Sequence, residues 1–161
     1  MLSKTRAFSI LEVMLVLIIA TILLFISMPM LNDVFSKNQS RAYVEQLMAS
    51  LQFARLAAIS RGETVRFCKS KDHKTCGGDW SDGQIITVNR VVLRVLDGVP
   101  SSSRLIWKGS FSKNDYLEFL PSGMTNAQQG SFSYCPKDLK GALTIMVQQT
   151  GHARVVGGTK C

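Results

Sequence analysis

The stretch VMLVLIIATILLFISMPML, residues 13–31, decides how this chain is organised. It contains no charged residue, and its length approaches the ~20 apolar residues that a helix needs to cross a bilayer. It is too long for a signal peptide, and no small-residue cleavage site follows it. Lys4 and Arg6 precede it, so the positive-inside tendency keeps the N-terminus in the cytoplasm. We therefore predict a membrane-spanning helix, with the remainder of the chain beyond the membrane.

One carboxylate, Glu12, lies at the start of this apolar run, where an unpaired charge costs about 3 kcal/mol inside a bilayer. It is either solvated among the lipid headgroups or paired. A cut between Ala7 and Phe8 would create an amino group on Phe8, one helical turn from Glu12 on the same face. The carboxylate would offset such an ammonium, on its own chain or on a neighbour, and would suit the positive end of the helix.

The string AFSILEV, residues 7–13, followed by a long apolar helix resembles the N-terminus of type IV prepilins. Members usually have Gly before the cut, where this chain has Ala7, then Phe, and Glu at the fifth mature position, which matches Phe8 and Glu12. The resemblance implies cleavage after Ala7 by a prepilin peptidase, methylation of Phe8 and assembly of the helix into a filament core. Residues 1–7 would be the leader.

A helical period continues beyond the apolar run. Between residues 32 and 60, apolar side chains recur at the spacing of one helix face, which requires an apolar partner surface elsewhere in the chain. This stripe consists of Val44, Leu47, Met48, Leu51, Ala54 and Ala58. Gly62 is expected to cap the helix. We predict a pilin helix over residues 8–62, with its transmembrane part at 13–31.

Short β-rich runs separated by turn residues follow the helix and predict an all-β head over residues 63–161. The candidate strands are 64–69, 84–89, 91–97, 105–108, 116–120, 131–135, 143–149 and 152–156. The predicted fold class is therefore α+β: a long N-terminal transmembrane and amphipathic α-helix, then a small antiparallel β-sandwich-like head.

Four cysteines lie in this head, which the topology places in an oxidising compartment where disulfides form. Three pairings are possible. We favour Cys68–Cys76, which closes a small local loop, and Cys135–Cys161, which ties the last residue back to the sheet. A metal site built on Cys68, His73 and Cys76 would lack a fourth ligand and any standard spacing, so no metal is predicted.

The order of motifs in the head resembles the GspH/FimT group of minor pilins and minor pseudopilins. The motifs are Arg61-Gly62, Cys68, Cys76, Trp80-x-x-Gly83, Phe119-Leu120-Pro121-x-Gly123 and Gly151-x-x-Arg154-Val155. The resemblance implies a minor type IV pilin that primes pilus assembly at or near the filament tip, with other minor and major pilins as partners. A minor pseudopilin of a type II secretion system is the alternative. The precursor would span the inner membrane once, with its head in the periplasm, and would later lie in a pilus on the cell surface.

Basic residues dominate the charge of the chain, with 19 Lys and Arg against 11 Asp and Glu. One group follows the helix and is diluted by Glu63 and Asp72: Arg61, Arg66, Lys69, Lys71 and Lys74. A second lies near the C-terminus, with Asp138 opposing: Lys137, Lys140, His152, Arg154 and Lys160. A basic face attracts phosphate, although it is also what an ordinary solvated surface looks like.

The second basic group matches a further feature of the family. Some FimT-like members bind DNA for natural transformation through a C-terminal Gly-Arg-x-Arg string. The corresponding string here is Gly151-His152-Ala153-Arg154, in which His152 replaces the first Arg. The resemblance therefore makes double-stranded DNA a candidate partner.

No combination of residues predicts catalysis. The chain has two histidines, His73 and His152, and neither has a motif partner. Asp79, Asp82 and Asp97 lie near turns, where Asp is favoured for local hydrogen bonding. We predict neither an enzyme nor a cofactor.

Overall fold

The computed structural model describes residues 9–100, 102–110, 115–136, 142–157 and 161; for helix residues 25–33 and 36 it describes the backbone alone. Within this part of the chain, one helix, α1 (Ile10–Arg61), precedes the strands. These are β1 (Val65–Lys69), β2 (Gly83–Val88), β3 (Val91–Asp97), β4 (Arg104–Gly109), β5 (Tyr116–Phe119), β6 (Gly130–Cys135), β7 (Leu143–Val147) and β8 (Ala153–Gly157). The chain divides into two units, Met1–Phe35 and Ser36–Cys161.

In the first unit, the part of α1 from residue 10 to residue 24 exposes its side chains on every face. Ile10 is 78% exposed and Leu17 is 59% exposed. Among the described residues, no helical stretch is both long and apolar enough to cross a membrane. The predicted span 13–31 extends over residues 25–31, whose side chains lie outside the described set.

In the second unit, the remaining part of α1 buries one stripe. Val44, Leu47, Leu51, Ala54 and Ala58 are each at most 2% exposed, and Met48 packs against the same core. The prediction that the head supplies the partner surface for this stripe is confirmed. Gly62 follows the last helical residue with φ +66°, the left-handed conformation that ends helices and that glycine adopts without strain.

The strands form two antiparallel four-stranded sheets. The first sheet has the order β3-β2-β1-β5, and the second has the order β4-β6-β7-β8. The predicted α+β class is confirmed, and no predicted strand end differs from the observed one by more than two residues. The largest difference is at β7, because residue 148 belongs to the turn: the Gln148 carbonyl accepts a hydrogen bond from the Gly151 amide at 2.9 Å.

The core lies between the sheets and the buried stripe of α1. Its centre is aromatic: the rings of Trp107 and Phe132 are 4.3 Å apart, and those of Trp80 and Phe132 are 5.0 Å apart. Tyr43 of α1 also reaches the first sheet, where its hydroxyl donates to Oε1 of the buried Gln84 at 3.2 Å. Burial raises the pKa of Tyr43 to about 12, against a smaller opposing effect of this hydrogen bond.

Candidate functional site

The N-terminal candidate site is described only in part. Glu12 lies in the first turn of α1, where its backbone amide donates to the Ser9 carbonyl at 3.0 Å. A carboxylate there is favoured by the positive end of the helix. Ala7 and Phe8 lie outside the described residues, so the pairing of Glu12 with an amino group stays a prediction.

Both favoured disulfides are present. Cys68 and Cys76 are joined with Cα atoms 5.7 Å apart, and Cys135 and Cys161 with Cα atoms 5.8 Å apart. The first closes a loop over the outer face of the first sheet, where Cys68 and its cross-strand partner Ile85 are completely buried. The second ties the last residue of the chain to the end of β6.

Asp72 organises the loop closed by the first disulfide. Its carboxylate accepts hydrogen bonds from the backbone amides of Thr75 at 2.8 Å and Lys74 at 2.9 Å, and from the hydroxyl of Ser70 at 3.1 Å. The bonds from Thr75 and Lys74 hold the pKa of Asp72 well below its ordinary value, because they favour the charged form. The loop is therefore fixed at both ends and in its middle.

The same disulfide excludes the metal site considered above for Cys68, His73 and Cys76. The sulfur atoms of Cys68 and Cys76 are bonded to each other, so neither is a thiolate that could bind a metal beside His73. Within the described ranges, no group of three or more His, Cys, Asp or Glu side chains is placed to hold an ion.

The C-terminal basic group is also described only in part. His152 and Arg154 are exposed, His152 just before β8 and Arg154 within it. Nη2 of Arg154 lies 3.9 Å from Sδ of Met146 on the neighbouring strand. Lys137, Lys140 and Lys160 lie outside the described residues, so whether they join Arg154 stays a prediction.

The strand register adds two cations to Arg154 that the sequence did not single out. Lys108 pairs with Ser131, Ser131 with Met146, and Met146 with Arg154, so one row crosses the outer face of the second sheet. Its ends are about 14 Å apart, from three strand spacings of about 4.8 Å. Arg104 lies four residues before Lys108 on β4 and therefore shares its face, because side chains of a strand alternate between the two faces. We call Arg104, Lys108 and Arg154 the basic face.

Acidic residues are absent from the strands that carry the basic face: β4, β6, β7 and β8, as described, contain no Asp or Glu. The alternation in RLIWKG, residues 104–109, was the signal that would have identified Arg104 and Lys108. Every second residue of that string is basic or exposed, while Leu105 and Trp107 enter the core.

The basic group after the helix has a different environment. Arg66 on β1 pairs with Glu118 on β5 at 2.8 Å, and Lys69 pairs with Asp115 at 2.8 Å. Two cations of this group are therefore compensated by carboxylates of the same chain. In each pair one partner is exposed and the other is half-buried, and surface pairs contribute about 0–1 kcal/mol each to stability.

Comparison with known proteins agrees with this architecture. The family model described as Type II transport protein GspH matches residues 43–151. No curated protein matches the chain. Among solved structures, the type IV minor pilin FimU of Pseudomonas aeruginosa is similar, with 23% identity and a TM-score of 0.61 over 75% of this chain and 90% of that chain.

A second solved relative comes from a secretion system. The minor pseudopilin EpsH from the Type 2 Secretion System of Vibrio cholerae shares 13% identity, with a TM-score of 0.54 over 73% of this chain and 96% of that chain. At these identities the likeness establishes a shared fold. The family and both relatives are structural pilins, and this chain is not an enzyme. Because the match spans more than half of the 161 residues, the chain belongs to the GspH family of minor pilins and minor pseudopilins.

Proposed function

We propose that the chain is a minor type IV pilin, a structural subunit that primes pilus assembly at or near the filament tip. The observation that supports this most is the first part of α1. From residue 10 to residue 24 it is apolar and exposed, with Glu12 as its single charged residue. A surface of this kind needs an apolar environment from outside the chain, which a bilayer supplies before assembly and neighbouring pilin helices supply afterwards.

Processing would convert the precursor into the assembling form. In this proposal a prepilin peptidase cuts after Ala7, and the new amino group of Phe8 is methylated. The precursor spans the inner membrane through residues 13–31 with its head in the periplasm, and the mature chain moves into a pilus on the cell surface. Its partners there are other minor pilins and the major pilin.

Glu12 would hold each subunit in register within the filament. In the low dielectric of a bundle of apolar helices, an isolated carboxylate costs more free energy than a paired one. The cheapest partner is an amino group at the level of Glu12, such as that of Phe8 on a neighbouring subunit. Pairing then selects one axial position among the many that apolar packing alone would allow.

The test substitutes Glu12 and a matched carboxylate on the same helix. In cells that carry the assembly machinery, Glu12→Ala should be cleaved normally but fall about tenfold in the filament fraction sheared from cells, which corresponds to the loss of about 1.4 kcal/mol. Glu45→Ala removes an exposed carboxylate from the part of α1 that packs on the head. This control should leave both cleavage and the amount in the filament fraction unchanged. Normal incorporation of Glu12→Ala would refute the pairing role.

A minor pseudopilin of a type II secretion system is the first alternative, supported by the similarity to EpsH. The same fractionation separates the two systems. A pilus subunit is lost from the filament fraction when the pilus assembly genes are deleted and remains when the secretion genes are deleted. The opposite pattern would assign the chain to the secretion system.

A DNA-binding minor pilin for natural transformation is the second alternative, and the basic face supports it. Arg104, Lys108 and Arg154 share one side of a sheet whose described strands lack carboxylates. Phosphate contacts from such a face supply affinity without sequence preference, and they weaken as salt rises. His152 immediately precedes the strand that carries Arg154 and would border this surface.

A titration tests the DNA alternative. The full chain in detergent is titrated with a short double-stranded DNA at several salt concentrations, beside Arg154→Gln and the control Arg41→Gln on α1. The affinity of a DNA-binding pilin should fall steeply as the salt concentration rises. Arg154→Gln should reduce the slope of log affinity against log salt concentration by about one, because one phosphate contact is lost. Absence of binding at low salt would leave the basic face as a solvated surface.

A further inference from the structure

A groove of about 570 Å³ lies on the outer face of the first sheet, on strands that do not include the basic face. Its volume falls in the range of about 300–1,000 Å³ that is typical of ligand sites. We call it the outer groove, and its lining includes Thr64, Arg66, Lys74, Thr87, Arg90 and Glu118. Three separate features of the chain bring cations to it.

The first cation, Lys74, is carried by the disulfide-closed loop. Cys76 of that loop also lines the groove and is bonded to Cys68 on β1. Asp72 binds the backbone amide of Lys74. The backbone of Lys74 is therefore fixed before any ligand arrives, which reduces the entropy that the loop loses on binding.

The second cation, Arg90, is held in a conformation that its residue type disfavours. Asn89 and Arg90 form the two-residue turn between β2 and β3, and both have positive φ, 48° and 68°. Glycine is the preferred residue at the second position of such turns. A larger residue in a left-handed conformation is strained, and strain of this kind concentrates at functional sites.

The third cation, Arg66, lies on the floor of the groove. Its guanidinium stacks 4.5 Å from the ring centre of Tyr116, and its Nε and Nη2 atoms donate to Glu118. Its Nη1 atom donates to no residue that the structure describes. Arg66 is thus oriented by two partners and retains donor capacity for a third.

The carboxylates near the groove are already engaged. Glu118 accepts from Arg66 and Asn126, and Glu63 accepts from Asn89 at 3.1 Å. Neither Lys74 nor Arg90 forms an ion pair with a described residue. Two cations at the rim of the groove therefore face solvent without a counterion from the described part of the chain.

We propose that the outer groove binds a carboxylate-rich segment of a partner polypeptide. The row Thr87, Arg66 and Glu118 crosses three adjacent strands, about 10 Å from end to end. This is the length of about three residues of extended peptide at 3.3 Å each. Threonine hydroxyls and the Asn89 amide beside the cations match the donors and acceptors of a peptide backbone. Duplex DNA offers phosphates along about 34 Å per turn, which is much longer than this row.

The proposal does not depend on which assembly the chain joins, and its test uses the isolated protein. The full chain in detergent is titrated at low salt with fluorescent hexaglutamate peptide. We expect saturable binding that unlabelled hexaglutamate displaces and hexaserine does not. Lys74→Ala should weaken it about tenfold, and Arg104→Ala on the basic face should leave it unchanged. Reduction of Cys68–Cys76 should weaken it as well, because Lys74 is then released.

Arg90→Gly separates a binding role from a structural one. Glycine adopts the positive φ of this turn freely, so the variant should keep or raise the Tm while it weakens hexaglutamate binding about tenfold. A lower Tm together with unchanged binding would overturn the proposal. The proposal would also be overturned if the native chain showed no saturable binding, or if Arg104→Ala lost as much affinity as Lys74→Ala. It would equally be overturned if a DNA duplex displaced the labelled hexaglutamate at a lower concentration than unlabelled hexaglutamate does.

Discussion

The two described parts of helix α1 have the same backbone conformation and opposite surroundings. From residue 10 to residue 24 the helix is apolar on all sides and exposed, whereas from residue 43 to residue 58 it buries one stripe and exposes the rest. An amphipathic helix needs one partner surface, and its own chain supplies it here. A helix that is apolar all round needs an environment that surrounds it. The comparison therefore separates residues that stabilise the head from residues that the described part of the chain leaves uncovered.

The largest expected effect tests this separation directly. Leu51 is 1% exposed in the core, so Leu51→Ala should lower the free energy of unfolding of the head by about 3–4 kcal/mol through lost transfer energy and a cavity. Leu17, 59% exposed, is the matched control, and Leu17→Ala should leave that free energy unchanged. Denaturant unfolding followed by the fluorescence of the buried Trp80 and Trp107 measures both. Equal losses in the two variants would break the comparison.

A smaller effect is expected where α1 meets the turns of the head. Arg55 donates to the Gly123 carbonyl at 3.0 Å, and a Cβ on Gly151 would overlap that same carbonyl oxygen. Gly151 also has φ +76°. Gly151→Ala should therefore cost about 2 kcal/mol, from the strained φ and the displaced turn. Gly157→Ala, where a Cβ meets nothing, is the control, and similar stability of the two variants would contradict this account.

The smallest effect concerns the hydrogen bond of Tyr43. Tyr43→Phe leaves Oε1 of the buried Gln84 without this donor, which should cost about 1 kcal/mol at neutral pH. Because burial raises the pKa of Tyr43 to about 12, the unfolded state, with a pKa of about 10, loses its proton first. Stability of the native chain should therefore fall as the pH rises from about 10 to 12, and the fall should be shallower in Tyr43→Phe. Unfolding titrations across this range measure it; identical pH dependence would mean that Tyr43 is not buried.

The local pattern of apolar and turn residues was sufficient to predict the helix and the described strands of this fold. The spacing of Val44, Leu47 and Leu51 predicted the buried stripe, and alternation between turn residues placed every described strand within two residues. The disulfide partners also followed from local reasoning, because Cys68 and Cys76 are eight residues apart and Cys161 ends the chain beyond the last strand. These features depend on short-range geometry, which a sequence displays directly.

Non-local pairing could not be predicted in the same way. β1 lies between β2 and β5, a neighbour far along the chain, and only this pairing brings Glu118 to Arg66. The basic face likewise needs the register from β4 to β8, which joins Lys108 to Arg154 across two intervening strands. Arg90 was missed because nothing in the residue type signals a left-handed turn. In each case the information lies in long-range contacts or backbone conformation rather than in residue spacing.

One measurement tests the central claim most directly: the intact mass of this chain in filaments sheared from cells. The account predicts a chain that begins at Phe8, has lost the seven residues before it and carries one additional methyl group. Cells that express Glu12→Ala should yield the same mass in their membranes but little of it in the sheared fraction. Assembled chains that retain residues 1–7 would contradict the account, because the amino group proposed to pair with Glu12 would not exist.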